Sequence, residues 1–119
     1  MTWTALETNT HQDHVIAHVI GASVLRYLVW DETAYLLLDI GFIWNIYLDA
    51  EMGLLPEAVA LAELNVDENL TQWEQVQTPS PIHSVDVFES DEGRRLVLNC
   101  EDATITLETS FTTREIQIS

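Results

Sequence analysis

The sequence predicts an α+β domain: a strongly bent antiparallel sheet of about six or seven strands, closing toward a barrel, with one main helix near residues 55–64 packed on it. Three observations predict it. From Ala34 to Leu48, the side chains of Ala34, Leu36, Leu38, Ile40, Phe42, Trp44, Ile46 and Leu48 occupy every second position. That is the period of a strand with one face buried. The last third of the chain repeats the pattern in short runs: Val85 and Val87, then Leu96, Leu98 and Cys100, then Ala103, Ile105 and Leu107, then Ile116 and Ile118. Between these regions Ala58 to Leu64 is rich in helix formers, with Pro56 and Glu57 suited to a helix start.

Taken in order, residues 1–13 lack periodicity after Trp3 and Leu6 and read as a frayed lead-in to one domain, the number that 119 residues ordinarily build. From His14 to Ile20 β-branched Val and Ile dominate, which favours a strand over the helix that 12–29 could otherwise form. Gly21 permits a bend, and Ala22 to Trp30 follows as a second strand. Asp31-Glu32-Thr33 reads as a turn, making Ala22 to Leu48 a hairpin. Its second arm, a single strand of fifteen residues, is long against the usual span of about five or six. Gly41 at its centre supplies a bend, because the apolar parity survives across it.

Leu54, Leu55, Val59, Leu61 and Ala62 give the helix an apolar stripe to lay on the sheet, and Asn65 stops it. Residues 66–81 are polar and carry Pro79 and Pro81, a surface connection anchored by Leu70 and Trp73. Strands follow at Ile82 to Glu89, Arg94 to Glu101, Ala103 to Thr109 and Arg114 to Ile118. Short connections make them antiparallel neighbours.

Charge is the compositional outlier. Twenty Asp and Glu face four Arg and no Lys, a net charge of −16 at pH 7. From Tyr27 to Gly93 there is no cationic Lys or Arg at all, while carboxylates run from Asp31 to Glu92. Such a chain repels phosphate, which argues against nucleic acid or an anionic membrane as partner and fits a basic protein or a metal ion better. The plainer reading is that the charge only keeps a sheet-rich protein soluble or suits a salty cytoplasm. No apolar window reaches the length of a membrane span, and the first residues carry neither the basic nor the apolar region of a signal peptide, so the expected location is cytoplasmic. The lone Cys100, inside the apolar run Leu96 to Cys100, reads as a packing thiol.

Three groups of residues could carry function. The interleaved face of the long strand holds Tyr35, Asp39, Asn45, Tyr47 and Asp49, with Glu51 just beyond. Left open, it is an amphipathic, negative strip for gripping Arg or Lys on a partner. Leu37 and Ile43 on the same face would be awkward in water, which gives equal weight to a cover from the C-terminal strands or a second subunit. The second group is His11, Asp13, His14 and His18. On a helix its three imidazoles share a face and could hold a divalent metal, whereas in a strand His14 and His18 stand about 13 Å apart, too far for one ion. The third comprises the acids Asp31/Glu32, Glu89/Asp91/Glu92 and Glu101/Asp102, which fall at turn tips rather than in a pocket.

The chain has no glycine-rich phosphate loop, no nucleophile elbow and no Cys/His pair, so enzymatic chemistry is disfavoured and no cofactor is expected. The expectation is a non-enzymatic acidic module that binds a basic protein surface, as an inhibitor, immunity factor or nucleic-acid mimic does. Its rivals are a small enzyme or ligand-binding barrel walled by Trp30, Trp44 and Tyr47, and a homo-oligomeric structural protein paired along a strand edge.

Overall fold

A computed structural model of the chain describes residues 2–48, 51–63 and 73–119. In chain order its elements are β1 (Thr4–Ala5), α1 (Thr10–Val19), β2 (Val24–Trp30), β3 (Thr33–Leu38), β4 (Phe42–Tyr47), β5 (Met52–Pro56), α2 (Glu57–Glu63), β6 (Glu74–Gln75), β7 (Ile82–Glu89), β8 (Gly93–Cys100), β9 (Thr104–Ser110) and β10 (Ile116–Ile118). The class is α+β with antiparallel pairing throughout, but the expected single sheet is two. One has the order β1-β7-β8-β9-β10 and the other β5-β4-β3-β2-β6, and neither closes into a barrel. Each sheet is in the main a local meander with an apolar face, and two such faces are buried by packing on each other.

The shared core shows this directly. Val24, Ala34, Leu36, Leu38, Trp44, Ile46 and Met52 of the second sheet meet Ile82, Val87, Leu96, Leu98, Leu107 and Ile116 of the first, and Val15 and Val19 of α1 join them. At one corner the sheets are stitched by backbone: Ile82 N–H donates to the Ala22 carbonyl at 2.9 Å, and Gly21 N–H to the Ile82 carbonyl at 2.8 Å.

The fifteen-residue strand is itself a hairpin. Thr33 lies opposite Tyr47, Tyr35 opposite Asn45, and Leu37 opposite Ile43, with Asp39, Ile40 and Gly41 as the loop. Gly41 has φ +82°, the left-handed conformation a three-residue hairpin loop asks of its glycine. An odd-numbered loop brings odd residues opposite odd and even opposite even. Apolar parity therefore continues through the turn as it would through an unbroken strand, and period two cannot distinguish the cases. A second irregularity, a register shift in β2 between Val24 and Arg26, lets both Val24 and Tyr27 reach the core.

Residues 14–19 belong to helix α1, with Ile20 as its C-cap, and not to a strand. Asn9 caps it: its side chain accepts Gln12 N–H at 2.8 Å, and the Gln12 side chain accepts Asn9 N–H at 3.0 Å, a reciprocal capping box. Gln12, Val15 and Val19 form the buried stripe, and the free energy of placing that stripe in the core overrides the β preference of Val and Ile. Ahead of it, the lead-in residues Thr4 and Ala5 pair with Glu89 and Phe88 of β7.

The expected helix near 55–64 begins later, at Glu57, and part of its stripe lies elsewhere. Leu54 and Leu55 are strand residues opposite Trp44 and Ile43, and Pro56 ends β5 opposite Phe42. Helix α2 then starts at Glu57, whose N–H donates to the Gly41 carbonyl at 3.1 Å. It covers the outer face of the second sheet through Ala60 and Leu61, which pack with Leu28, Ile43, Trp73, Tyr35 and Leu37. Val59 points outward and is 50% exposed. Asn65 and Leu70 fall outside the described residues. Among the described helices none is long and apolar enough to cross a membrane.

Candidate functional site

The outer face of the second sheet carries three of the six residues expected to grip a partner. Tyr35, Asn45 and Tyr47 are neighbours there: Asn45 stands opposite Tyr35, and its amide nitrogen donates to the Tyr47 hydroxyl at 2.8 Å. Asn45 itself is buried. Gly53 on the adjacent strand leaves it space, since a Cβ at 53 would stand 2.9 Å from Asn45 Oδ1. Tyr35 is half-buried, and burial raises its phenol above the ordinary range, with Tyr47, Asp31 and Glu63 adding to the rise and a hydrogen bond with Thr33 opposing it. Tyr47 is 46% exposed.

Asp39 lies apart, in the β3–β4 loop at the far end of the sheet. Its carboxylate accepts Ser23 N–H at 3.0 Å and its own N–H donates to the Ser23 carbonyl at 3.1 Å, so it joins that loop to the start of β2. Asp49 falls outside the described residues. Glu51 is exposed and lines a cleft with Tyr47.

That cleft, of about 680 Å³, lies between the β2–β3 turn, the β4–β5 connection and the β9–β10 loop, and is lined by Asp31, Glu32, Thr33, Tyr47, Leu48, Glu51, Phe111 and Arg114. Tyr47 and Phe111 present exposed rings to it, and Trp30 is exposed beside it in register with Thr33. Three carboxylates share the cleft with one guanidinium. Arg114 Nε and Nη2 donate to the two carboxylate oxygens of Glu32 at 2.9 and 3.0 Å, a fork that joins the loops of the two sheets.

The backbone around it is unusual. Asp31 (φ +52°), Glu32 (φ +61°) and Arg114 (φ +59°) are the non-glycine residues in the left-handed region among those described, and all three line the cleft. Each such conformation costs about 1–2 kcal/mol in an L-residue, less for Asp, whose short side chain tolerates it. Positive φ at both positions makes Asp31-Glu32 a type I′ turn, one of the two-residue turns whose twist matches the strands they join.

The Arg114 fork holds the Glu32 carboxyl below its usual range. A depressed carboxyl stabilises the fold above the ordinary glutamate pKa, and that contribution is lost as pH falls through the folded value. Wild type and Glu32→Gln are therefore expected to differ in melting temperature at neutral pH and to converge on acidification. A gap that persists into strong acid would contradict this.

The histidines are on one helix but do not converge. His11 Nε2 donates to the Met52 carbonyl at 3.0 Å, whereas His18 Nδ1 turns to the His14 carbonyl at 2.8 Å. Among the described residues no three His, Cys, Asp or Glu are grouped to hold a metal ion. Of the other acids, Glu89 pairs with Arg94 at 3.4 Å, while Asp91 and Glu92 line an open groove at the β7–β8 tip. Asp102 N–H donates to Ser80 Oγ at 3.1 Å in the β8–β9 turn. Arg95 pairs with Glu108 and stacks 4.4 Å from the Trp3 ring.

The aromatic walls expected of a ligand pocket are dispersed: Trp44 is fully buried in the core, whereas Trp30 and Tyr47 face outward. Phe111 and Arg114 enter the cleft without a local signal in the sequence, apart from Arg114 being one of only four cations in the chain. Compared with known protein families, characterised proteins and solved structures, the chain matches none.

Proposed function

We propose that this protein is a non-enzymatic interaction module that binds a basic protein surface, in the manner of an inhibitor, an immunity factor or a nucleic-acid mimic, and that its contact surface is the cleft bounded by Tyr47, Phe111, Asp31 and Glu51. The observation that carries the reading is the meeting of exposed aromatic rings with excess carboxylate at one end of a chain of net charge −16. Rigid rings supply contact area at low entropic cost, and the surrounding negative potential steers a cationic partner into place.

Association with a basic partner is expected to be fast at low ionic strength and to slow by about ten- to a thousandfold as salt screens the field. Tyr47→Ala, which removes an exposed ring from the cleft, is expected to weaken binding by roughly 1–2 kcal/mol. Affinity capture from a lysate at low ionic strength, with elution in a salt gradient, supplies the partner for these measurements. A partner that is not basic, or an affinity indifferent to salt, would remove the reading.

A further inference from the structure

The cleft already holds a cation, and it is the protein's own. We propose that the cleft is a guanidinium site for which Arg114 is the resident group, and that a partner binds by exchanging an arginine of its own for Arg114 at Glu32. The inference rests on the reading of this chain as a module for a basic protein surface, and it specifies which basic side chain is taken and what must leave.

Four features support the exchange. The Glu32 carboxylate is engaged through both oxygens by Nε and Nη2, a geometry that a planar guanidinium matches and an ammonium does not. The pair is solvent-accessible, with side chains 62% and 47% exposed, so a competitor can reach it and little free energy opposes its replacement. Asp31 lines the same cleft beside Glu32, so a second carboxylate stands next to the one that Arg114 engages, and the Tyr47 and Phe111 rings offer faces on which an incoming guanidinium can stack.

The loop that carries Arg114 is also closed independently of the fork. Arg114 N–H donates to the Ser110 carbonyl at 2.8 Å, and Thr113 N–H to Ser110 Oγ at 3.3 Å. The guanidinium can therefore swing away while the turn and the β9–β10 pairing stay intact. Arg114 is thus an internal competitor: it neutralises Glu32 in the free protein and lowers the affinity for any partner that needs that carboxylate.

The test titrates oligo-arginine and oligo-lysine peptides of equal length into wild type, Arg114→Gln, Glu32→Gln, the double variant, Tyr47→Ala and Arg26→Gln, with fluorescence anisotropy as the readout. Arg26→Gln removes the same charge from β2, outside the cleft. Oligo-arginine is expected to bind Arg114→Gln about fivefold more tightly than Arg26→Gln, the equivalent of about 1 kcal/mol. The gain is expected to be absent with oligo-lysine and absent when Glu32 is Gln. Equal tightening in Arg114→Gln and Arg26→Gln would overturn the exchange yet leave the module reading standing, provided Tyr47→Ala still weakens binding. If Tyr47→Ala and Glu32→Gln both bind oligo-arginine as wild type does, the cleft is not the contact surface and both proposals fall.

Discussion

Gly93→Ala is expected to destabilise the fold by about 3 kcal/mol or more, a loss that would lower the melting temperature by on the order of 10 °C. Gly93 opens β8 opposite Ser110 of β9. A Cβ built there would stand 1.9 Å from the backbone carbonyl oxygen of Thr109 and 3.0 Å from its carbon. The obstacle is backbone in a paired strand, so no rotamer change can relieve it, and the β8–β9 ladder must part to make room. The contrast is Gly53, where an added Cβ meets only the end of the Asn45 side chain. Gly53→Ala should therefore cost less than Gly93→Ala. Thermal or denaturant unfolding of the two variants checks this, and equal losses would show that the Thr109 contact is relieved in some other way.

Trp44→Ala is expected to cost about 3–5 kcal/mol, the range for deleting a fully buried aromatic side chain. Trp44 is 0% exposed and packs in the core shared by the two sheets. Its removal would open a cavity between sheets that rely on that core for their attachment. Trp44→Phe should be much milder, about 1–2 kcal/mol. The indole N–H makes no hydrogen bond with the described residues, so its loss removes contact area but leaves no polar group newly unpaired. Denaturant unfolding of both variants gives the comparison. A phenylalanine variant as damaged as the alanine one would mean that the indole nitrogen contributes a bond of its own.

The placement of the candidate site shows where reading along the chain stops. Alternation from Ala34 to Leu48 correctly separates a buried face from one carrying Tyr35, Asn45 and Tyr47, because side chains on paired strands obey the same parity on both sides of a three-residue loop. That invariance hides the loop itself, and with it the fact that Asp39 leaves the strip to accept the Ser23 N–H. The two faces also differ less in burial than alternation implies. Helix α2 and Trp73 cover the outer side over Ile43 and Leu28, whereas Tyr47 toward its end stays exposed.

Helix α1 shows the converse case. Its start is fixed by the capping box of Asn9 and Gln12 and its inward face by Gln12, Val15 and Val19, neither of which the expectation of a frayed lead-in followed by a strand uses. The β preference of its Val and Ile residues pointed the other way, and packing against the core prevailed. Pro56 shows how narrow such margins are: the residue that suits a helix start also suits the last position of edge strand β5, where it stands opposite Phe42.

Local chemistry along the chain was sufficient to establish the antiparallel, mixed α and β character, the strand runs from Ile82 onward, a turn at Asp31-Glu32 and the shortage of cations, since each depends on near neighbours or on composition alone. The expected third residue of that turn, Thr33, instead opens β3. The division into two sheets, the cleft between their loops and the Arg114 fork on Glu32 were decided only in three dimensions. The Arg114–Glu32 fork alone joins residues 82 positions apart, and no periodicity or propensity extends over such a distance. Which apolar faces meet, and which charged loops are thereby brought together, depends on the free energy of burying both faces at once.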